Sequence, residues 1–311
     1  MIKAYRIKFL SPYTTIKSYT IFGAFCWAYR LLYGKDRLEN FLKEFSENPK
    51  FLISSPFPVI EDIYLFPKPF FELKLSSDIK ILEKLKRKPY KNAVYITQKV
   101  LEKIIKGEVK NQNDLMKLNV KSGVIYDNDE NLSSLNFGKN QIFVHNQINR
   151  INNESKNLYF EEGIVPFENQ EKYFLVKFID ESFINEFEKI LKIVQELGLG
   201  GNKNIGWGKV EILEDDKNFS FLGRKETDKF ITLSPIIAKN INLKNSYYNF
   251  YTFVSYTDGS FEKPKLKGKI DYIEEGSIIK KQDTNQFAGV LKHISNDIYQ
   301  YGLEFPVYME W

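Results

Sequence analysis

The sequence predicts an α+β protein that combines mixed helices and strands with a later region made mostly of strands. Three observations lead to this prediction: alternating apolar residues at the start of the chain, helices with the 3.6-residue apolar period, and several strand-like runs after residue 216. The chain has 311 residues, of which 43% are hydrophobic and 15% are aromatic. Because this length suffices for two hydrophobic cores, we expect two domains, 1–215 and 216–311.

The first elements follow the order strand, helix, helix. Lys3–Phe9 alternates as a strand does, Thr20–Tyr33 is an apolar helix closed by Gly34, and a second helix is predicted at 36–47. The segment 51–69 is apolar but contains four prolines. Since proline cannot donate to a sheet ladder, we predict extended segments at the edge of a sheet there.

The middle of the chain, from about 75 to 165, is predicted to be an insertion. Residues 80–106 are rich in lysine and include one helical stretch at 97–106, and 111–140 is polar and rich in turn residues. Such composition is typical of an insertion or a flexible hairpin between core elements.

After the insertion, the pattern returns to strand, helix, strand. Tyr173–Ile179 reads as a strand, Asp180 as the N-cap of an amphipathic helix that ends at Leu197, and Lys209–Leu213 as a strand. With the first strand and helix, this order fits an elaborated ferredoxin-like (RRM-like) β-α-β-β-α-β domain. We expect a second, degenerate ferredoxin-like domain from the strand-like runs at 230–239, 248–256, 265–272 and 299–308.

A glycine-rich loop, Gly198–Gly208, joins the last helix of the first domain to its final strand. It holds five glycines and Lys203, is followed by Lys209, and contains no acid. Nucleotide-binding loops precede a helix, where the dipole attracts phosphate, whereas this loop follows a helix C-terminus and lacks the Rossmann spacing. It therefore indicates either a long helix C-cap or a loop that exposes backbone N–H groups to an extended polyanion. Five glycines exceed what capping needs, so we favour the polyanion.

Composition restricts the other function classes. The balance of 45 basic and 40 acidic residues is too even to require a nucleic-acid partner by itself. No apolar stretch has the length of a membrane span and the N-terminus lacks the apolar core of a signal peptide, so we expect a cytoplasmic protein. No His/Cys set has metal-ligand spacing and no catalytic triad is legible, so we expect no cofactor and no metal.

Several stretches resemble the RAMP proteins of CRISPR systems. Gly198–Gly208 matches the Gly-rich loop that follows the last helix of their ferredoxin-like domain. The other stretches span nearly the whole chain: Tyr5–Phe9 through Thr20–Ala24, Ser54–Pro58 with Phe66–Pro69, His145–Arg150, Glu275–Ser277 and Tyr301–Leu303. Within the family, their combination and order are most similar to a subunit of the type III-A Csm interference complex.

The resemblance implies a non-catalytic RNA-binding subunit that grips the repeat-derived 5′ tag of a CRISPR RNA. It also implies contacts with the large polymerase-like subunit and with the first backbone RAMP subunit, and a hairpin thumb that folds over the RNA. The segment before Phe160 fits the thumb. The implied RNA-binding residues are Gly198, Gly200, Gly201, Asn202, Lys203, Gly206, Trp207, Gly208, His145, Asn146, Asn149 and Arg150.

Catalysis on RNA is not expected. The processing nucleases of this family usually carry a histidine near the first helix, and the target-cutting subunit carries an aspartate in the loop after the first strand. Here 10–19 contains neither, and His145 is the first histidine of the chain. The alternatives are a metal-independent endoribonuclease, the equivalent type III-B subunit, or a scaffold whose loop contacts only protein.

Two of the implied side chains also have plain structural interpretations. His145 is suited to base stacking or phosphate contact, but a lone histidine is more often a local hydrogen-bonding residue. Arg150 suits bidentate phosphate contact or base stacking, or it forms a surface ion pair with Glu154 or Glu161.

Overall fold

The computed structural model describes residues 1–60, 62–71, 88–132, 135, 137–167, 170–223, 225–257, 266–295 and 298–311. Its helices include α1 (Ser18–Tyr33), α2 (Lys35–Glu47), α3 (Gln98–Ile105), α4 (Gln112–Leu115) and α5 (Ile184–Leu197). Its strands are β1 (Ile2–Phe9), β2 (Phe51–Ile53), β3 (Phe57–Ile60), β4 (Ile63–Pro67), β5 (Tyr95–Thr97), β6 (Asn119–Lys121), β7 (Val124–Tyr126), β8 (Lys139–Ile148), β9 (Ser155–Val165), β10 (Glu171–Phe178), β11 (Val210–Asp215), β12 (Lys229–Thr232), β13 (Phe250–Tyr256), β14 (Leu266–Ile273), β15 (Ile278–Lys280), β16 (Lys292–Ser295), β17 (Ile298–Gln300) and β18 (Pro306–Tyr308).

The largest sheet has nine strands among the described residues. Its order is β11-β1-β10-β3-β4-β5-β7-β6, and β2 also pairs with β10. Helices α1 and α5 pack on one face through aromatic rings: Phe25 stacks on Phe187 at 5.3 Å, and Phe187 lies 5.9 Å from Tyr5 of β1. The predicted α+β class is therefore confirmed.

The local signals in the sequence place these first elements correctly. Gly34 ends α1 with a φ of +86°, and its N–H donates to Arg30. Asp180 caps a short 3₁₀ turn, Glu181–Phe183, and accepts from the Ser182 N–H at 3.0 Å, after which α5 begins. The helix therefore begins as predicted, although its first turn is tighter than an α-helix.

The proline-rich segment differs from the prediction of edge strands. Strands β3 and β4 lie inside the large sheet, not at its margin. Pro58 pairs with Lys172 of β10, whereas β4 joins β3 only at Val59 and Ile60. At Pro58, β3 therefore has a neighbour on one side only, so the missing N–H costs no ladder hydrogen bond.

The insertion forms two distinct structures. Part of it, β5 to β7, extends the large sheet and buries Ile96, Val124 and Ile125. The rest is an antiparallel two-stranded hairpin, β8–β9, that contains His145. The polar, turn-rich stretch 111–140 thus contributes to the sheet, because most of its aliphatic residues, such as Leu115, Val124 and Ile125, are buried. Of the predicted insertion, residues 75–87, 133, 134 and 136 lie outside the described residues.

The C-terminal part contains short sheets and 3₁₀ turns but, in its described residues, no α-helix. A three-stranded sheet has the order β15-β12-β18, beside the hairpins β13–β14 and β16–β17. The division into two domains stays a prediction. A smaller hydrophobic cluster around Phe230 and Tyr308 lies wholly in the C-terminal part, but the main cluster includes residues from both parts of the chain. Tyr301, for example, packs 4.8 Å from Phe22, and its hydroxyl accepts from the Ile53 N–H at 2.9 Å.

None of the helices described here has the length and apolar character of a membrane span.

Candidate nucleic-acid interface

The two ends of the Gly-rich loop are held together by a close approach of backbone to backbone. Leu199 N–H donates to the Gly208 oxygen at 2.9 Å. A Cβ on Gly208 would lie 2.1 Å from the Leu199 oxygen, and one on Gly198 would lie 2.8 Å from the Gly208 oxygen. Both residues also have positive φ angles, of +72° and +79°. At these two positions glycine is needed to close the loop, whatever the loop binds.

Most N–H groups of the loop are used inside the protein. Gly201 donates to the Thr14 hydroxyl at 3.0 Å, Gly206 to the Lys203 oxygen at 3.0 Å, and Gly208 to the Pro12 oxygen at 2.8 Å. The expectation that the glycines expose their N–H groups to a ligand is therefore wrong at these three positions. The bonds of Gly201 and Gly208 hold the Gly-rich loop on the first loop, which we define as residues 10–17, and the bond of Gly206 closes a turn within the Gly-rich loop.

The outward surface of the Gly-rich loop is its middle. Gly201, Asn204 and Gly206 are exposed, and a Cβ on Gly206 would meet nothing within 4 Å. Lys203 is partly exposed and Lys209 is exposed. The middle of the loop thus presents Lys203, with Lys209 just after the loop, and a surface at Gly206 that no side chain covers. It does not present a row of free backbone donors.

The base of the β8–β9 hairpin packs directly on this loop. The buried Trp207 ring lies 4.7 Å from Phe143, and a Cβ on Gly163 would lie 2.6 Å from Trp207. Asn202 Nδ2 donates to Glu161 Oε2 at 2.8 Å. The first loop joins the same surface, because Tyr13 and Ile164 exchange two backbone hydrogen bonds, of 3.0 and 2.8 Å.

His145 lies beside this contact. Its ring stacks on Tyr159 with centroids 5.2 Å apart, and its Nε2 is 3.5 Å from Glu161 Oε2, too long and unaligned for a hydrogen bond. The structure thereby brings together His145, Asn202 and Trp207 from the residues implied by the family resemblance.

Asn146, Asn149 and Arg150 lie elsewhere on the hairpin. Asn146 Nδ2 donates to the Ser155 hydroxyl at 3.1 Å across the two strands. Asn149 shapes the turn at the tip, where its Oδ1 accepts from the Ile151 N–H at 3.0 Å. Arg150, exposed in the turn at this tip, is five residues beyond His145, and the strand from His145 to Ile148 alone spans about 10 Å. The tip of the hairpin is therefore a surface separate from that of the Gly-rich loop.

Two neighbours of the Gly-rich loop were not identified as such from the sequence: Thr14 and Glu161. Thr14 contacts Gly201 across 187 positions of the chain, and Glu161 links Asn202 to the hairpin. The one sequence feature that could have pointed to Thr14 is the polar, turn-forming sequence Ser-Pro-Tyr-Thr-Thr that follows β1. Within the described ranges, no group of three or more His, Cys, Asp or Glu side chains is placed to hold a metal ion.

The fold and this loop agree with the comparison to known families. The RAMP superfamily model matches residues 13–211, which include the greater part of the first loop, the hairpin and the Gly-rich loop. The chain therefore belongs to the RAMP superfamily, as the sequence stretches indicated.

More specific relatives are proteins named Csm4. The CRISPR system Cms protein Csm4 of Methanocaldococcus jannaschii is 28% identical over 320 residues, covering 89% of this chain and 81% of the relative. The protein of the same name from Thermococcus onnurineus is 24% identical over 296 residues, with 94% and 90% covered. The chain is thus similar to these relatives over most of its length and most of theirs.

Solved structures share the fold over the whole chain. The Csm3-Csm4 subcomplex of the type III-A CRISPR-Cas interference complex contains a chain that matches with a TM-score of 0.67 at 22% identity, covering 99% of both chains. A chain of the Csm1-Csm4 cassette in complex with cA4 matches with a TM-score of 0.59 at 20% identity, covering 99% of this chain and 98% of the other.

Proposed function

We propose that this protein is a non-catalytic, RNA-binding subunit of a type III CRISPR effector complex, of subtype III-A. It holds the repeat-derived 5′ tag of the CRISPR RNA. The observation that carries the proposal is the junction of the Gly-rich loop, the first loop and the base of hairpin β8–β9, joined through Trp207, Asn202 and Thr14. Relatives named Csm4 support the assignment to a CRISPR effector.

Side chains, rather than backbone amides, make the phosphate contacts in this proposal. The N–H groups of Gly201, Gly206 and Gly208 already have partners, so Lys203 and Lys209 supply the positive charge. Arg150 at the hairpin tip provides a second, planar contact for phosphate or base. The loop fixes the RNA backbone and the tip reaches a nucleotide farther along the strand.

The partners we propose are the large polymerase-like subunit and the neighbouring backbone RAMP subunit. The two matching structures are of Csm3-Csm4 and Csm1-Csm4 assemblies, which supports this proposal. A subunit held between these two neighbours needs to position the RNA end and does not need to cut it.

A role without catalysis also fits the local chemistry. The first loop, where a nucleolytic residue would be expected, has hydroxyls and Lys17 but no acid or histidine. His145 lies on the hairpin and not beside α1, where the histidine of the processing nucleases is expected. Its ring stacks on Tyr159, and Glu161 lies beside it. General acid–base cleavage requires a titratable group within hydrogen-bond reach of the reacting hydroxyl or leaving oxygen.

We also propose that the chain consists of two ferredoxin-like domains, 1–215 and 216–311. In the first, β1, α1, β3, β10, α5 and β11 follow the β-α-β-β-α-β order, and the strands lie side by side as β11-β1-β10-β3. The hairpin β8–β9 is its thumb. The second domain is a degenerate copy whose helices are replaced by turns and hairpins in the residues described.

The test is retention of labelled guide RNA by the full-length chain. The double variant Lys203→Glu with Arg150→Ala should bind about tenfold more weakly and with a shallower salt dependence, because phosphate contacts release counterions. Lys43→Glu, an exposed lysine on α2, is the matched control and should bind as the unaltered protein does. Unchanged binding by the double variant would support a protein-only scaffold, and specific cuts without metal would support the endoribonuclease.

A further inference from the structure

Lys172, near the start of β10, is a partly buried cation without a carboxylate partner among the described residues. Its Nζ lies 5.1 Å from the centre of the Tyr13 ring, and Tyr13 is only 2% exposed. Burial, followed by the nearby positive charge of Lys17, lowers the pKa of Lys172 to about 8. The folded protein therefore holds this ammonium group where its charge is disfavoured.

Several other cations around the same sheet have carboxylate partners. Arg6 contacts Asp62, Glu171 and Asp215 at 2.8 to 3.1 Å, and Lys17 contacts Glu275 at 2.8 Å. Lys177 is the closest comparison, since it lies on the same strand, faces the Tyr308 ring at 5.5 Å and has Glu226 at 3.3 Å. An uncompensated cation at such a depth costs folding free energy, which an external anion would recover.

The position of Lys172 connects it to the candidate interface. Tyr13, which it contacts, is hydrogen-bonded through its backbone to Ile164 at the base of the hairpin. The next residue, Thr14, accepts the hydrogen bond from Gly201 of the Gly-rich loop. Lys172 thus lies directly behind the point where the first loop, the hairpin and the Gly-rich loop meet, and part of its side chain remains exposed.

We propose that Lys172 is a further phosphate-contacting residue of this interface, in which the RNA backbone supplies the missing anion. This inference rests on the proposed RNA-binding function. The phosphate it contacts is next to the one held by Lys203, since both lysines border the same junction. In the protein without RNA, the cation–π contact with Tyr13 holds the ammonium group in place.

The experiment compares full-length Lys172→Met, Lys172→Arg and Lys177→Met with the unaltered chain. Affinity for labelled guide RNA carrying its 5′ tag is measured at pH 7 and pH 9. We expect about tenfold weaker binding for Lys172→Met at pH 7, about twofold or less for Lys177→Met, and near-normal binding for Lys172→Arg. Thermal unfolding of each variant verifies that it is folded.

The pH dependence separates a phosphate contact from a structural role. Below pH 8 Lys172 is already charged, whereas above it a proton must be taken up on binding, so the affinity of the unaltered chain should fall about tenfold from pH 7 to pH 9. The charged or titratable groups known to face Lys172 are Tyr13, whose pKa burial raises, and Lys17, which Glu275 holds. Lys172→Arg should abolish this dependence, because arginine stays charged.

Two results would overturn the inference in different ways. If Lys172→Met binds RNA as the unaltered chain does, or retains its pH dependence, while Lys203→Glu binds weakly, Lys172 is not a contact and the proposed function stands. If the unaltered chain binds no guide RNA, both the inference and the proposed function are wrong.

Discussion

At the scale of single residues, the glycines of the loop have unequal tasks. Gly198 and Gly208 face backbone atoms of the loop itself, and Gly200 faces the Thr14 hydroxyl, where a Cβ would lie at 2.6 Å. Gly206 also has a positive φ, yet it faces open space. In the sequence the five glycines look alike. Only their three-dimensional contacts distinguish the glycines that close the loop from Gly206, which leaves its surface uncovered.

Gly208→Ala should therefore be much more damaging than Gly206→Ala. The Cβ at 208 would lie 2.1 Å from the Leu199 oxygen in addition to the positive φ, and we expect a loss of roughly 3 kcal/mol in unfolding free energy. Gly206→Ala introduces only the backbone strain, for which we expect about 1 kcal/mol. Urea unfolding of both variants measures the difference, and equal losses would show that the loop ends can separate.

At the scale of elements, the hairpin β8–β9 depends on the rest of the molecule. A two-stranded hairpin is at best marginally stable alone in water. Its outer side chains are well exposed, with Ile142 and Val144 each at 60% and Phe160 at 64%. Its stability therefore comes from its base, where Phe143 and Gly163 meet Trp207 and where Ile164 pairs with Tyr13.

Trp207→Ala should loosen the hairpin selectively. We expect faster amide hydrogen exchange throughout 139–165, while β1 and β10 keep their protection, because removing a buried Trp costs roughly 3 to 5 kcal/mol of local packing. Hydrogen exchange followed by mass spectrometry measures both regions in one sample. Phe160→Ala, on the exposed side, is the control and should leave the exchange pattern unchanged; an equal effect of both substitutions would contradict this role for Trp207.

At the scale of the whole molecule, the two parts of the chain depend on each other. Ser55 N–H donates to the Leu233 oxygen at 2.8 Å, and Leu233 N–H donates to the Phe305 oxygen at 2.9 Å, so backbone bonds continue from one part into the other. Leu303 and Phe305 are buried in the same cluster as Phe22 and Phe51. The two parts on either side of 215/216 can therefore have separate topologies and still depend on each other for stability.

Residues 1–215 expressed alone should not fold cooperatively. Removing 216–311 would expose Phe22 and Ile53 and leave the Ile53 N–H without its Tyr301 acceptor. Circular dichroism during thermal unfolding should show one sharp transition for the full chain and a broad, non-cooperative one for the fragment. A sharp transition in the fragment would support the independent domains that chain length suggested.

The sequence by itself determined the elements whose signals are local: Gly34 at the end of α1, Asp180 before α5, the class of fold, and a loop whose glycines and lysines indicated a polyanion. Capping and periodicity depend on neighbours within a few positions, so they can be read along the chain. Only the tertiary structure decided which loop amides were already bonded, that Thr14 meets Gly201, and that Lys172 contacts the Tyr13 ring with no carboxylate partner in the described part of the chain. The physical reason is that strand order brings together residues more than a hundred positions apart, and hydrogen bonding and desolvation depend on those contacts.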